Sequence, residues 1–235
     1  MRNAIAGARG SVGRIHVKFC SGAGHHTPQD TLTAFRDYDA VIHSASIPDP
    51  LGKDDDLVHN DNVNSAFNAF RAAAELALRH LYASSLLQFD SPIHEDAPER
   101  PTDPYAMAKQ EAELQASVFA RWFPGLRIAC LCIHEVAPLN DMQTEHEKNW
   151  QDAAVNQLWE WVSPQATARA CLLAVECSER INGCETFNIE LARRYFQSAE
   201  IRGEFSGNQS FWATDKAERM LGWAHCKAIK KRLER

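Results

Sequence analysis

The 235-residue chain is predicted to fold as an α/β protein built on a parallel sheet, and three observations predict it. Short apolar strands alternate with helical stretches along most of the sequence. The first strand runs into glycines at three-residue spacing, Gly7, Gly10 and Gly13. The next two strands, over residues 38–46 and 79–85, end in small or hydroxyl side chains, which leave room for a ligand at the carboxyl edge of a sheet.

Taken in order, the apolar run Ala4-Ile5-Ala6 is a strand, the glycines make a turn, and residues 14–19 read as helical. Strand, glycine turn and helix form the order that cradles a phosphate. Glycines let the backbone approach a pyrophosphate, and the N–H groups at the helix start are aimed at its charge. The second strand, with Asp39-Ala40-Val41-Ile42-His43 at its centre, ends in Ser44-Ala45-Ser46. A helix is predicted over residues 60–79, with Val63, Phe67, Phe70, Ala74 and Leu78 facing the core. The strand over 79–85 closes on Ser84-Ser85, and a second long helix covers 103–122. Asp103 is a good N-cap for it, and Pro104 suits its first position. Phe123-Pro124-Gly125 leads into a further strand that carries Cys130 and Cys132. From Trp150 the pattern changes to Trp159 and Trp161, a helix over 166–175, a short strand over 186–189 and a polar stretch rich in Gly and Ser. The chain is therefore divided into residues 1–150, a nucleotide-binding domain, and 151–235, a smaller lobe packed on it.

The helix over 103–122 carries Tyr105 and Lys109, four residues apart and so on one face. An ammonium near a phenol favours the phenolate, lowering a pKa that starts near 10. A phenol so tuned can exchange a proton with a substrate hydroxyl or carbonyl. Taken by itself such a pair is a solvated helix face. The ordered glycines, the small strand ends and the serines just upstream give it company.

That order, with Asn62-Val63 between the second strand and the serines, resembles the NAD-dependent epimerase/dehydratase family of extended short-chain dehydrogenase/reductases over most of the chain. Residues 123–129 and 216–223 are similar to later segments of the same family. The resemblance implies a Rossmann-like, doubly wound parallel sheet with a small C-terminal substrate lobe and NAD or NADP as cofactor. It implies that Tyr105 is the general acid/base, that Lys109 binds the nicotinamide ribose and that Ser85, rather than its neighbour Ser84, holds the reacting oxygen. Gly7, Gly10 and Gly13 would hold the pyrophosphate, Ala45 and Ser46 would line the cofactor, and Asn62 would support the active-site helix. The substrate implied is a small carbohydrate: a sugar, sugar acid or nucleotide sugar. Dehydratases of the family place an Asp-Glu pair after the catalytic hydroxyl residue, whereas Leu86-Leu87 follow Ser85. Dehydration is disfavoured, and oxidation and epimerisation both stay open.

The chain also departs from the family by internal deletions. Between Gly13 and Asp39 there is too little chain for the elements that normally precede the Asp-Ala-Val-Ile-His strand. Part of the region that holds the family's own second and third strands is the expected loss. The acidic residue that binds the adenosine ribose about 20 residues after the glycines has only Asp30 as a substitute. Such a gap results from a genuinely compact variant or from an altered coding sequence. It also supports a rival reading, a non-catalytic remnant of the family with impaired dinucleotide binding.

Composition narrows the partners. A net charge of −6 with no basic stripe argues against nucleic acid. No segment reaches the roughly 18 apolar residues of a membrane span, and the start shows no signal-peptide core, so a cytoplasmic protein is expected. Seven cysteines without a Cys-x-x-Cys pair read as free or buried thiols. The ten histidines include His25-His26 and His134-Glu135 but no His-Glu-x-x-His spacing, so no metal is expected. A homodimer is the assembly to test.

Overall fold

The computed structural model describes residues 2–6, 27–47, 53–84, 94–96, 100–133, 136, 162–189 and 212–223. Five strands form one sheet: β1 (Asn3–Ala6), β2 (Ala40–His43), β3 (Arg79–Ser84), β4 (Ile128–Ile133) and β5 (Cys184–Ile189). They lie in the order β1-β2-β3-β4-β5, every neighbouring pair parallel, with Ile5 opposite Ile42, Ile42 opposite Leu81, Leu81 opposite Ala129 and Ala129 opposite Glu185. A doubly wound sheet reverses its order at the first strand. Here the described strands run in one direction from β1, and no described strand lies on its far side.

Helices cover both faces, as a parallel sheet requires. α1 (Pro28–Phe35), α2 (Asp55–Glu75) and α3 (Pro104–Trp122) lie on one face, and α4 (Pro164–Glu176) and α5 (Asp215–Leu221) on the other. Alternation along each strand supplies both cores. Ala4, Val41, Ile128 and Cys130 meet α1 to α3, while Ile5, Ile42, Ala129, Leu131, Phe187 and Ile189 meet α4 and α5. β4 is buried along its whole length, which explains why its sequence is an unbroken apolar run. β5, α4 and α5, all beyond residue 150, complete the sheet and its second covering layer.

The expected helix over 60–79 begins earlier and faces differently. Asp54 caps α2, accepting the Asp56 N–H at 3.0 Å. Its buried stripe is Val58, Asn62, Ala66, Ala69, Phe70 and Ala73, while Val63 is half-buried and Phe67 is 39% exposed. The physical reason is close approach. Alanines on α2 meet Ala112 and Ala116 of α3 in one core, and the large Phe67 is pushed to the rim against the edge of Phe119, 5.3 Å between ring centroids. Leu78 is buried but lies outside the helix. Its N–H reaches the Ala73 carbonyl at 2.8 Å, and the Ala77 N–H reaches that of Ala74 at 3.2 Å, a Schellman ending with the hydrophobic residue beneath it. α5 also ends on a left-handed residue, Gly222, φ +69°, but in the simpler αL motif, with the Gly222 N–H on the Glu218 carbonyl at 3.0 Å and the Trp223 N–H on the Ala217 carbonyl at 3.2 Å. The Trp223 indole then donates to the Ala166 carbonyl at 3.1 Å, tying α5 to the start of α4.

The five described cysteines are free thiols, with Cys130, Cys132 and Cys171 buried and Cys177 and Cys184 half-buried. The Cys130 and Cys184 sulfurs lie 3.9 Å apart. Among the described residues no helix is long and apolar enough to cross a membrane.

Candidate active site

Strand direction gathers the candidate site at one edge. In a parallel sheet every strand points the same way, so the ends of β1, β2 and β3 and the starts of α1, α2 and α3 share the carboxyl edge. α3 starts where the sequence predicts. Asp103 is its N-cap, accepting the Ala106 N–H at 2.7 Å, and Pro104 occupies the first turn. Tyr105 therefore sits in the first turn, and Lys109 follows on the same face with its ammonium over the phenol ring, 5.2 Å from the centroid.

Lys109 is buried and Tyr105 half-buried, and that changes the expected electrostatics. Tyr105 is pushed up to about 12, first by burial, with a further upward push from Asp103, while Ser46 works against both. The predicted lowering of the phenol by Lys109 is thus overturned, because loss of hydration penalises the phenolate more than its neighbours repay. Lys109 is only 3% exposed, and burial brings it down to about 8, opposed by Glu113 one turn further along α3. Glu113 is itself fixed, accepting from the Thr186 hydroxyl of β5 at 3.2 Å and from the Cys132 thiol at 3.9 Å.

The loop after β2 is held just as firmly. The Ser44 hydroxyl donates to the Ala6 carbonyl at 3.0 Å, joining the ends of β1 and β2. The buried Asn62 side chain grips Ile47 from both sides, accepting its N–H at 2.7 Å and donating to its carbonyl at 3.1 Å. Asn62 thus pins the loop that carries Ser46, and through it reaches Tyr105. Ala45 lines a cleft of about 270 Å³ between α1 and α2, together with Ala6, His43, Thr31, Asp61 and Asn68. His43 is 2% exposed, and burial and the nearby Lys109 bring it down to about 3.

Of the residues singled out from sequence, Tyr105, Lys109, Ala45, Ser46 and Asn62 fall within the described structure at this edge. Gly7, Gly10, Gly13, Ser85 and the helix expected over 14–19 lie outside the described residues. Asp30 has another task. Its carboxylate accepts from the Thr27 hydroxyl at 2.7 Å and the Thr27 N–H at 3.2 Å, closing a capping box at the start of α1. Sequence reasoning did not single out His43 or Glu113 as members of the site. Glu113 was findable as the next step of the four-residue spacing that joins Tyr105 to Lys109, whereas His43 read only as the end of a strand.

Residues 26–148, just over half the chain, match the profile of the NAD dependent epimerase/dehydratase family. No curated protein matches the chain. Among solved structures, UDP-N-acetylglucosamine 4-epimerase from Bacillus cereus superposes with a TM-score of 0.73 at 18% identity, covering 100% of this chain and 97% of that one. A short-chain dehydrogenase/reductase superfamily protein from Agrobacterium tumefaciens with bound NAD gives 0.74 at 15% identity, covering 99% and 94%. MoeE5 in complex with UDP-glucose and NAD gives 0.71 at 17% identity, covering 100% and 96%. At such identities the likeness is one of fold, and it makes the architecture Rossmann-like.

Proposed function

Because the chain belongs to the NAD dependent epimerase/dehydratase family, we propose that it is an NAD(P)-dependent oxidoreductase or epimerase acting on a sugar, sugar acid or nucleotide sugar. The observation that carries this reading is the pair at the start of α3, a half-buried phenol in the first turn beneath a buried ammonium 5.2 Å from its ring. The nucleotide sugar is the favoured substrate class, supported by the fold shared with the Bacillus cereus epimerase and with MoeE5, whose complex holds UDP-glucose and NAD.

The donor set suits the nicotinamide-ribose end of a dinucleotide. Lys109 offers three N–H donors in a dry setting, matched to a ribose diol, and Ala45 lines the cleft between α1 and α2. NAD, when bound, supplies the hydride acceptor. Tyr105, protonated near neutral pH, gives its phenol proton to a substrate carbonyl oxygen on reduction and takes it back from the hydroxyl in the reverse direction. Ser85 hydrogen-bonds the reacting oxygen, Lys109 binds the ribose, and Gly7, Gly10 and Gly13 receive the pyrophosphate at the end of β1. We place the substrate-lobe contacts within residues 151–235, a stretch that also gives β5, α4 and α5 to the sheet and its second layer. A homodimer is the assembly we expect, checked by light scattering.

One observation favours the rival reading of a remnant without a dinucleotide. Asp30, the candidate for the adenosine ribose, spends its carboxylate on the α1 cap. An NADH fluorescence titration decides between them. Micromolar binding supports the enzyme, and a folded chain that binds none overturns it. In the enzyme, Tyr105→Phe lowers turnover by roughly two to four orders of magnitude while NADH still binds. Undiminished turnover would assign the acid/base to another residue.

A further inference from the structure

Glu113 is an acidic residue placed where α3 meets the sheet, and its two carboxylate oxygens are taken by two different strands. Oε2 accepts the Thr186 hydroxyl of β5 at 3.2 Å, and Oε1 the Cys132 thiol of β4 at 3.9 Å. Thr186 stands opposite Cys130 and Cys132 opposite Asn188, so the carboxylate straddles the two strands over a diagonal pair. Both donors are neutral. A carboxylate withdrawn from water to such a place calls for an opposite charge. The helix supplies one by its own geometry, because α3 is continuous from Pro104 to Trp122 and residues four apart on it stand one above the other, about 5–6 Å between Cβ atoms. One turn before Glu113 on that face is Lys109, 3% exposed, and one turn before Lys109 is Tyr105, its ring centroid 5.2 Å from the ammonium.

We propose that Glu113 is a positioning residue of this site: its carboxylate, pinned to β4 and β5, is the counter-charge that holds the Lys109 ammonium over Tyr105. The inference rests on the reading of Lys109 as the residue that binds the ribose, and Glu113 acts only through it. The other described charged groups on the elements around α3 have different tasks. On α2, His59 faces Glu111 at 3.1 Å, Arg71 pairs with Glu75, and Asp61 lines the cleft beside α1. On β5, Glu185 is joined to Lys216 of α5 at 2.8 Å, on the face of the sheet away from α3. His43 at the end of β2 is neutral and offers no charge. Burial brings Lys109 down to about 8, and Glu113 is the neighbour that works against it.

The test reads the Lys109 ammonium in the full chain without dinucleotide, by following the resonance of lysine isotopically labelled at Cε through a pH titration and identifying it by its loss in Lys109→Arg. Glu113→Gln keeps the shape and an acceptor for Thr186 but removes the charge. Thr186→Val keeps the charge and removes the anchor, and Glu111→Gln removes an equal charge from the side of α3 that faces His59. The expected result is a Lys109 midpoint lowered by roughly one pH unit or more in Glu113→Gln, lowered by a smaller step in Thr186→Val, and held at the parent value in Glu111→Gln. A parent-like midpoint in Glu113→Gln, or an equal fall in Glu111→Gln, would overturn the proposal. Circular dichroism confirms that the comparison is made between folded chains. If Glu113→Gln does not fold, Thr186→Val decides, and an unmoved midpoint there overturns the proposal as well. NADH binding is measured in parallel. A midpoint that depends on Glu113 in a chain that binds no NADH upholds the counter-charge and overturns only the enzyme reading.

Discussion

His43 fills the end of β2 with an imidazole that is 2% exposed and held neutral, its pKa brought from 6.5 down to about 3. The folded chain therefore binds fewer protons than the unfolded chain between those values, so stability falls as pH drops from 6.5 to about 3. The full loss is up to about 5 kcal/mol. Urea midpoints for the parent and His43→Asn, compared at pH 7 and pH 4, check it: the parent loses more stability on acidification than the variant. At this scale the sequence reveals Tyr105 and Lys109, because four-residue spacing on a helix is local information. It does not reveal that Ser46 meets Tyr105 or that His43 lies beside Lys109. Those contacts join a β2 loop to α3, and only the assembled sheet brings them together. The upward shift of the phenol is hidden for the same reason, since burial is a property of the neighbours.

Helix ends show how much of an element is written locally. The start of α3 is fully legible in Asp103-Pro104, and α5 stops at the residue built for a left-handed turn, Gly222. The end of α2 is disguised because Ala77 takes the left-handed position, φ +52°, that glycine ordinarily fills. Without that punctuation the helical pattern reads on through Leu78, and the stripe is anchored on Phe67 instead of the alanines. The same disguise carries a cost in stability. A Cβ in this conformation costs about 1 kcal/mol. Ala77→Gly is thus expected to stabilise the chain by about 1 kcal/mol, and Gly222→Ala to destabilise it by a similar amount, read as opposite shifts in the thermal midpoint. A loss of stability in Ala77→Gly would show that the ending is not strained.

For the whole molecule, alternation of strands and helices correctly forecast a parallel sheet covered on both faces, because the period of each segment and its apolar run are visible in one dimension. What alternation cannot convey is which strand lies at the rim, a matter of how the crossovers turn. β1 lies at one end of the described order, with β4, buried throughout, far from that end. The thiols of this interior offer a use of their own. Cys171 is pushed up to about 12 by burial, and Cys130 is raised by its contact with Cys184 and by burial. Since only thiolate reacts, neither can be labelled until the surrounding layer opens, and the two sit on opposite faces of the sheet. With the other five cysteines replaced by serine, a disulfide reagent added in slight urea should modify Cys130 and Cys171 at one common rate if both layers come apart together, and at two rates if they do not. The protein thus carries a pair of built-in stopwatches, one per layer, that time its breathing.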